Sequence, residues 1–190
     1  MLLPHESSVV LFCGIGGADV GITRALRRAP DAAANHDPAM LYLHSINHPQ
    51  TAHYPEDVWK VSPTNMTKGR RPGLLWMSPD CTFHSRAKGG KPLDHKRRSL
   101  ANVAFPWIEE VRPRMIMLEN VPEFQFWGPL FPEGHPKANK VDPSRIREYF
   151  NAFCQRLESY VYAVEWRILR ACDFGVPTSR TRLYLVARCD

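Results

Sequence analysis

At Leu74-Leu75-Trp76-Met77-Ser78-Pro79-Asp80-Cys81-Thr82-Phe83-His84-Ser85 an apolar run stops at a Ser-Pro step, and a cysteine follows at the mouth of a polar loop. Four apolar residues bounded in this way predict a short buried strand. In an open α/β sheet, chemistry is done at the carboxyl ends of strands, and Cys81 stands at one. The loop continues through Ser85-Arg86-Ala87-Lys88-Gly89-Gly90-Lys91-Pro92, which is cationic and glycine-rich. A thiol beside such a loop suits a nucleophile acting on an anionic polymer. The alternative is a strand-end cysteine that only fills space, as free cysteine commonly does.

The same pattern opens the chain. Val9-Val10-Leu11-Phe12 is a β-favouring run, Cys13-Gly14-Ile15-Gly16-Gly17 follows at once, and Val20, Ile22, Ala25 and Leu26 recur at helical spacing. Strand, glycine turn and helix together present backbone N–H groups to a ligand. The turn could serve a dinucleotide, another nucleoside cofactor, or only a change of direction. Met40 to Ile46 reads as the second strand, after a helix end and loop over residues 28–38. In dinucleotide-binding proteins the end of that strand carries an acid for a ribose. Ser45 stands there instead, which disfavours a dinucleotide.

Further along, Glu56-Asp57-Val58-Trp59 is a candidate third strand or strand end. A helix is expected from about Ser99 to Val111, kinked or divided at Pro106. Met115-Ile116-Met117-Leu118 is a fully apolar strand ending in Glu119-Asn120-Val121. A carboxylate ending a buried strand is costly unless paired or used. Asp142-Pro143-Ser144 opens a helix reaching about Tyr160, Ala163 to Leu169 is a strand, and Leu183 to Ala187 is the last strand. Strands alternating with helices predict a doubly wound, mostly parallel α/β sheet in one domain over residues 1–190.

Composition narrows the partners. A formal net charge of +6 favours an anionic one. The 17 prolines, nearly twice the usual ~5% content, predict long ordered loops. The five cysteines contain no C-x-x-C pair, so neither a zinc site nor a disulfide framework is indicated, and a reducing, cytoplasmic setting is expected. His48 and His53 lack a third ligand nearby and read as solvated loop histidines, so no metal is expected. No signal peptide or membrane-spanning run is evident.

Four separated motifs then align in order. Phe12-Cys13-Gly14-Ile15-Gly16-Gly17 resembles the cofactor motif of the DNA (cytosine-5)-methyltransferase family. Ser78-Pro79-Asp80-Cys81 resembles its Pro-Cys nucleophile motif, Glu119-Asn120-Val121 is identical to its Glu-Asn-Val motif, and Thr178-Ser179-Arg180-Thr181-Arg182 resembles its Gln-x-Arg-x-Arg motif. The sequence departs from the family pattern at Asp80 and Thr82 around the cysteine, at Thr178 for Gln, and at Val10 and Ser45 where acids are usual. Relative to the family, the chain stops before the target-recognition domain and the segment that returns to complete the cofactor pocket.

The resemblance implies a Rossmann-like methyltransferase fold, S-adenosylmethionine as cofactor, and double-stranded DNA as substrate in a restriction–modification setting. It implies Cys81 as nucleophile toward cytosine C6, Glu119 as the acid at N3, Arg182 at O2 and Arg180 as support. Glu119 would need its proton, and partial burial acts in that direction. Phe12, Gly14, Gly16 and Gly17 would hold the cofactor's amino-acid end, with Ile46 at the adenosine, Asp57 and Val58 at the adenine, and Pro79 near the methyl. Ser85, Arg86, Lys88 and Lys91 would hold DNA phosphates around a flipped base. Two alternatives remain beside an active enzyme: an inactive homologue that binds cofactor or DNA, and one subunit of a split enzyme completed by a second polypeptide. A dehydrogenase would rest on the glycine turn alone, and methylation of a free nucleotide would leave the basic loop unexplained.

Overall fold

Val9, Val10 and Leu11 are wholly buried, apolar toward both faces, and therefore belong in the middle of a sheet covered on both sides. The computed structural model describes residues 2–80, 99–132, 134–138 and 140–190. Among these, the strands are β1 (Ser7–Leu11), β2 (Ala32–Ala34), β3 (Ala52–Tyr54), β4 (Pro72–Met77), β5 (Met115–Asn120), β6 (Ala163–Arg170) and β7 (Thr181–Arg188). They form one sheet in the order β3-β2-β1-β4-β5-β7-β6. β3, β2, β1, β4 and β5 are mutually parallel, and β7 runs antiparallel to both β5 and β6. The expected doubly wound, mostly parallel sheet is what forms.

Side chains alternate across the sheet and sort the helices into two layers. Leu11, Leu75, Met77, Ile116, Leu118, Leu183 and Leu185 share one core with α3 (Pro63–Thr67), α4 (Ala104–Val111) and α5 (Glu148–Ser159). Val10, Ala33 and Leu74 pack on the other side with Ile22 of α1 (Gly17–Leu26) and Leu41 of α2 (Pro38–Asn47). Among the described residues, that second layer stops at β4. Beyond it Trp76, Met115, Met117 and Tyr184 line an open groove of about 710 Å³, and Trp166, Leu169 and Val186 extend it as a second hollow of about 530 Å³.

The chain leaves β1 toward β2 and β3, then crosses back to β4. The switch point therefore lies between the carboxyl ends of β1 and β4, where open α/β sheets bind ligands.

Several expectations need correction. Met40 to Ile46 is not a strand but part of α2: Asp37 caps its first turn by accepting from the Ala39 and Met40 N–H groups, and Pro38 occupies N1. The second strand is Ala32–Ala34, inside the stretch expected to be helix end and loop. The third is Ala52–Tyr54, so Asp57 and Val58 lie in the turn after it. Pro106 divides nothing. A 3-10 turn over Leu100–Val103 precedes α4, and Pro106 falls in the first helical turn, where its missing N–H is harmless. The helix expected from Asp142 is a 3-10 turn, Pro143–Arg145, followed by a break at Arg147 (φ 72) before α5.

Candidate active site

β1 ends in a left-handed Phe12 (φ 59), and the chain turns through Gly14 (φ 54) and Gly16 (φ 96) into α1. The φ at Gly16 favours glycine, and so does its packing: a Cβ there would lie 2.2 Å from His48 Nε2. On Gly14 or Gly17 a Cβ would meet nothing within 4 Å, so the ligand side of the turn is open. The first N–H groups of α1 have no intrahelical partner and are available there.

β4 ends beside this turn. The Ser78 N–H donates to the Leu11 carbonyl (3.4 Å) and its hydroxyl to the Phe12 carbonyl (3.2 Å). Pro79 is buried and Asp80 is exposed. Cys81, with Ser85, Arg86, Lys88 and Lys91, lies outside the described residues. From β5, the buried Asn120 Nδ2 donates to the Pro79 carbonyl at 3.2 Å, while its Oδ1 accepts from the Val121 N–H at 2.8 Å. Ser78 and Asn120 thus tie the residues just before the cysteine to both neighbouring strands. Sequence reading gave neither residue a role.

Glu119 faces the opposite side from Asn120, toward the open groove. Its Oε1 lies 3.0 Å from Arg182 Nε and 3.7 Å from Arg180 Nη2. Arg182 stands in β7 and is largely buried. Arg180 precedes the strand and is mostly exposed. Glu119 is opposite Tyr184 in the ladder, so Arg182 is its diagonal neighbour on the same face. Glu119, a carboxylate costly to bury unless paired or used, is paired here with both arginines. Burial, and then the Glu119 charge, push the Tyr184 phenol up. The thiol of Cys13 is pushed up to about 12 by burial and by Asp19, which makes it inert.

Gly17, Cys13, Ser78, Glu119 and Arg180 line one and the same groove. Arg182 lines an adjoining hollow with Val176 and Tyr184. Ile46 does not join them. It sits on the outer side of α2, 59% exposed, because α2 is a helix and not a strand. The residues that follow β2 are Asn35, His36 and Asp37. Asn35 Oδ1 accepts from the Asp37 N–H, and Asp37 caps α2, while His36 is exposed. Ser45 stands in α2 and not at the end of the second strand. Asp57 is exposed after β3, with its carboxylate accepting from the Trp59 N–H, and Val58 is buried under the α3 side. His48 and His53 are not solvated loop residues: His48 is buried at the end of α2 and His53 is half-buried in β3. Among the described residues, no three His, Cys, Asp or Glu side chains gather as a metal site, and no helix is long and apolar enough to cross a membrane.

Residues 7–189 match the family model of C-5 cytosine-specific DNA methylases. The chain is 26% identical over 188 residues to the Type II methyltransferase M.AquIA of a Picosynechococcus species, covering 96% of this chain and 71% of that protein. It is 28% identical to M.AgeI of Thalassovita gelatinovora, covering 96% of this chain but 39% of that one. Among solved structures, a Spodoptera frugiperda DNMT2 mutant superposes with TM-score 0.66 at 23% identity, over 96% of this chain and 50% of that chain. The S. pombe Dnmt2 methyltransferase gives 0.64 at 22%, over 96% and 49%. The chain thus spans 39% to 71% of the length of these four proteins. With the glycine turn, the Ser78-Pro79 strand end and the Glu119–Arg182 pair assembled around one switch point, and the match running from β1 to β7, the chain belongs to the C-5 cytosine-specific DNA methylase family.

Proposed function

We propose that this protein transfers a methyl group from S-adenosylmethionine to C5 of cytosine in double-stranded DNA, with residues 1–190 as its catalytic domain. The observation that carries this reading is the shared groove: Cys13 and Gly17 of the glycine turn, Ser78, Glu119 and Arg180 line one space that runs along the sheet face and reaches the switch point. The family match and the Type II methyltransferase names of its relatives support it.

The residues present fit the cofactor. The open side of Gly14 and Gly17 admits close approach, and the amino terminus of α1 faces it. Phe12, Gly14, Gly16 and Gly17 would hold the amino-acid end, Asp57 and Val58 the adenine side, His36 the ribose, and Pro79 the methyl end. Bound there, S-adenosylmethionine supplies an electrophilic methyl. The target base must leave the stack to reach it, with Ser85, Arg86, Lys88 and Lys91 on the surrounding phosphates.

Cys81 would then add its sulfur to C6, which makes C5 nucleophilic enough to accept the methyl. Arg182 would turn from Glu119 to cytosine O2, and Glu119, freed of that pairing, would take up a proton from water and pass it to N3 while Arg180 keeps the carboxyl in place. Once the methyl is on C5, N3 would return its proton to Glu119, and a water molecule would take the C5 proton as the sulfur–C6 bond breaks, which restores the ring and the thiolate. Duplex DNA incubated with the protein and tritiated S-adenosylmethionine should yield label in 5-methylcytosine on nucleoside digestion. Label in N4-methylcytosine or N6-methyladenine would overturn the reading.

A second polypeptide segment completing the enzyme is favoured by one observation. Among the described residues, the sheet face beyond β4 is apolar and uncovered where Trp166, Leu169 and Val186 line it, and Trp76 Nε1 is buried beside it with no hydrogen-bond partner. An open apolar face of this kind marks an interaction site. Met117→Asp should then weaken association with the recognition-bearing polypeptide. Full activity of the 190-residue chain alone would contradict this.

A further inference from the structure

The end of α2 and its C-cap run behind the glycine turn and hold it at two carbonyls. The exposed Asn47 donates from Nδ2 to the Ile15 carbonyl at 2.9 Å. The buried His48 places Nε2 3.0 Å from the Gly16 carbonyl. A carbonyl only accepts, so His48 carries its proton on Nε2. One turn earlier, His44 packs its ring against His48 with centroids 4.8 Å apart. His44 Nε2 lies 3.2 Å from Asp19 Oδ1 in the first turn of α1, and both side chains are fully buried. That contact is an ion-pair distance without hydrogen-bond alignment. His44 Nδ1 meets His53 Nε2 at 2.9 Å, one ring donating and the other accepting.

We propose that Asn47 and His48 are positioning residues for the cofactor turn, an inference that rests on the S-adenosylmethionine reading above. A trans peptide points its N–H opposite to its C=O. The Gly16 carbonyl takes both the Val20 N–H of α1, at 3.2 Å, and His48 Nε2, and holding it there aims the Gly17 N–H to the other side, where a Cβ on Gly17 would meet nothing within 4 Å. Holding the Ile15 carbonyl fixes the peptide whose N–H, that of Gly16, closes the turn onto the Cys13 carbonyl at 3.0 Å. His48 also occupies the space a Gly16 side chain would need, so donor and glycine are matched. Neither residue lines the ligand side; both act through the backbone.

The test compares His48→Leu, which keeps bulk and removes the donor, with His48→Gln, whose amide N–H can reach the same carbonyl, and with Asn47→Ala. In the full protein, His48→Leu should raise the Kd for S-adenosylhomocysteine about tenfold, the equivalent of one hydrogen bond. The KM for S-adenosylmethionine should rise with it, while kcat and the KM for DNA stay near the parent. His48→Gln should restore most of the affinity, and Asn47→Ala should lose severalfold. A second readout needs no cofactor: amide hydrogen exchange at residues 14–17 should quicken about tenfold in His48→Leu, by the same hydrogen-bond arithmetic. Exchange rates equal to the parent would overturn the proposal whether or not the protein binds cofactor. Should His48→Leu fail to fold, unchanged exchange at residues 14–17 in the surface variant Asn47→Ala would overturn it equally. Failure of the parent to bind S-adenosylhomocysteine, with the exchange effect intact, would count against the cofactor assignment and not against the grip on the turn.

Discussion

Asn120 Nδ2 donates to the Pro79 carbonyl, so the end of β5 holds the residue two before Cys81. The amide is buried, and its other end is used by the Val121 N–H. Asn120→Asp would set two acceptors against each other and leave one without its donor, at a cost of about 1–3 kcal/mol. A nucleophile displaced by about 1 Å loses rate on the order of 10²-fold. Steady-state kinetics of Asn120→Asp should show that loss in kcat, with the KM for cofactor little changed. A kcat equal to the parent would mean that the Pro79 tether does not position Cys81.

The two arginines at Glu119 should not be equivalent. Arg182 is the closer and more buried partner, held also by its Nη1 donating to the Thr181 carbonyl at 2.8 Å, whereas Arg180 is mostly exposed and 0.7 Å farther away. Arg182→Ala should therefore reduce kcat/KM by at least tenfold more than Arg180→Ala, since only the first leaves a largely buried carboxylate without its near partner. Equal losses in the two variants would contradict the assignment of Arg182 to the base.

At the opposite end of the sheet, Glu6 is 1% exposed and takes a bidentate pair from Arg114, at 2.6 and 2.8 Å, as well as the Leu3 N–H at 2.8 Å. The Arg114 hydrogen bonds pull its carboxyl from 4.5 down to about 2, against the opposing effect of burial. A depressed folded-state value contributes stability that is complete above the unfolded value near 4.5 and is lost as pH falls toward 2. The shift corresponds to about 3 kcal/mol. Glu6→Gln should lower the melting temperature at pH 7 and flatten the acid limb of stability between about pH 4.5 and 2. Parallel acid limbs for parent and variant would refute the pairing as its source.

The described thiols should separate by reactivity. Cys13 is pushed up to about 12 and Cys154 to about 11, both mainly by burial, so neither is a thiolate at neutral pH. Cys172 is exposed. Brief treatment of folded protein with iodoacetamide at pH 7.5, read by peptide mass spectrometry, should label Cys172 and spare Cys13 and Cys154. Rapid labelling of Cys13 would show that the packing of β1 on α1 is open.

What was legible in the sequence follows the physics of each segment. Val9 to Phe12 with its glycines, and Leu74 to Met77 with Ser78-Pro79, announce strand ends because apolar runs and turn residues meet there. β2 was hidden because Ala32-Ala33-Ala34 has little strand propensity and is a strand only by being buried beside β1. α2 was read as a strand from its apolar run, although Asp37-Pro38 carried the cap and N1 signals of a helix. That one-element slip put Ser45 at the end of a second strand, whereas the second strand ends at Ala34. Glu119, Arg180 and Arg182 were legible as motif residues, and their pairing needed only the β5–β7 ladder. The parts played by Ser78, Asn120, Asn47 and His48 were not legible, because each bonds a backbone carbonyl from another element and such a bond leaves no pattern in sequence.

The central claim is that Cys81 adds to cytosine C6 before the methyl is delivered and leaves only when the C5 proton is lost. Duplex DNA carrying 5-fluorocytosine cannot complete that last step, because fluorine does not leave as a cation. With S-adenosylmethionine and any completing polypeptide present, the parent should form a protein–DNA complex that survives denaturing electrophoresis. Cys81→Ser should abolish it, a hydroxyl being a far weaker nucleophile at neutral pH, while Cys13→Ser, Cys154→Ser, Cys172→Ser and Cys189→Ser should each retain it. Undiminished trapping in Cys81→Ser, or none in a parent that methylates cytosine, would contradict the account.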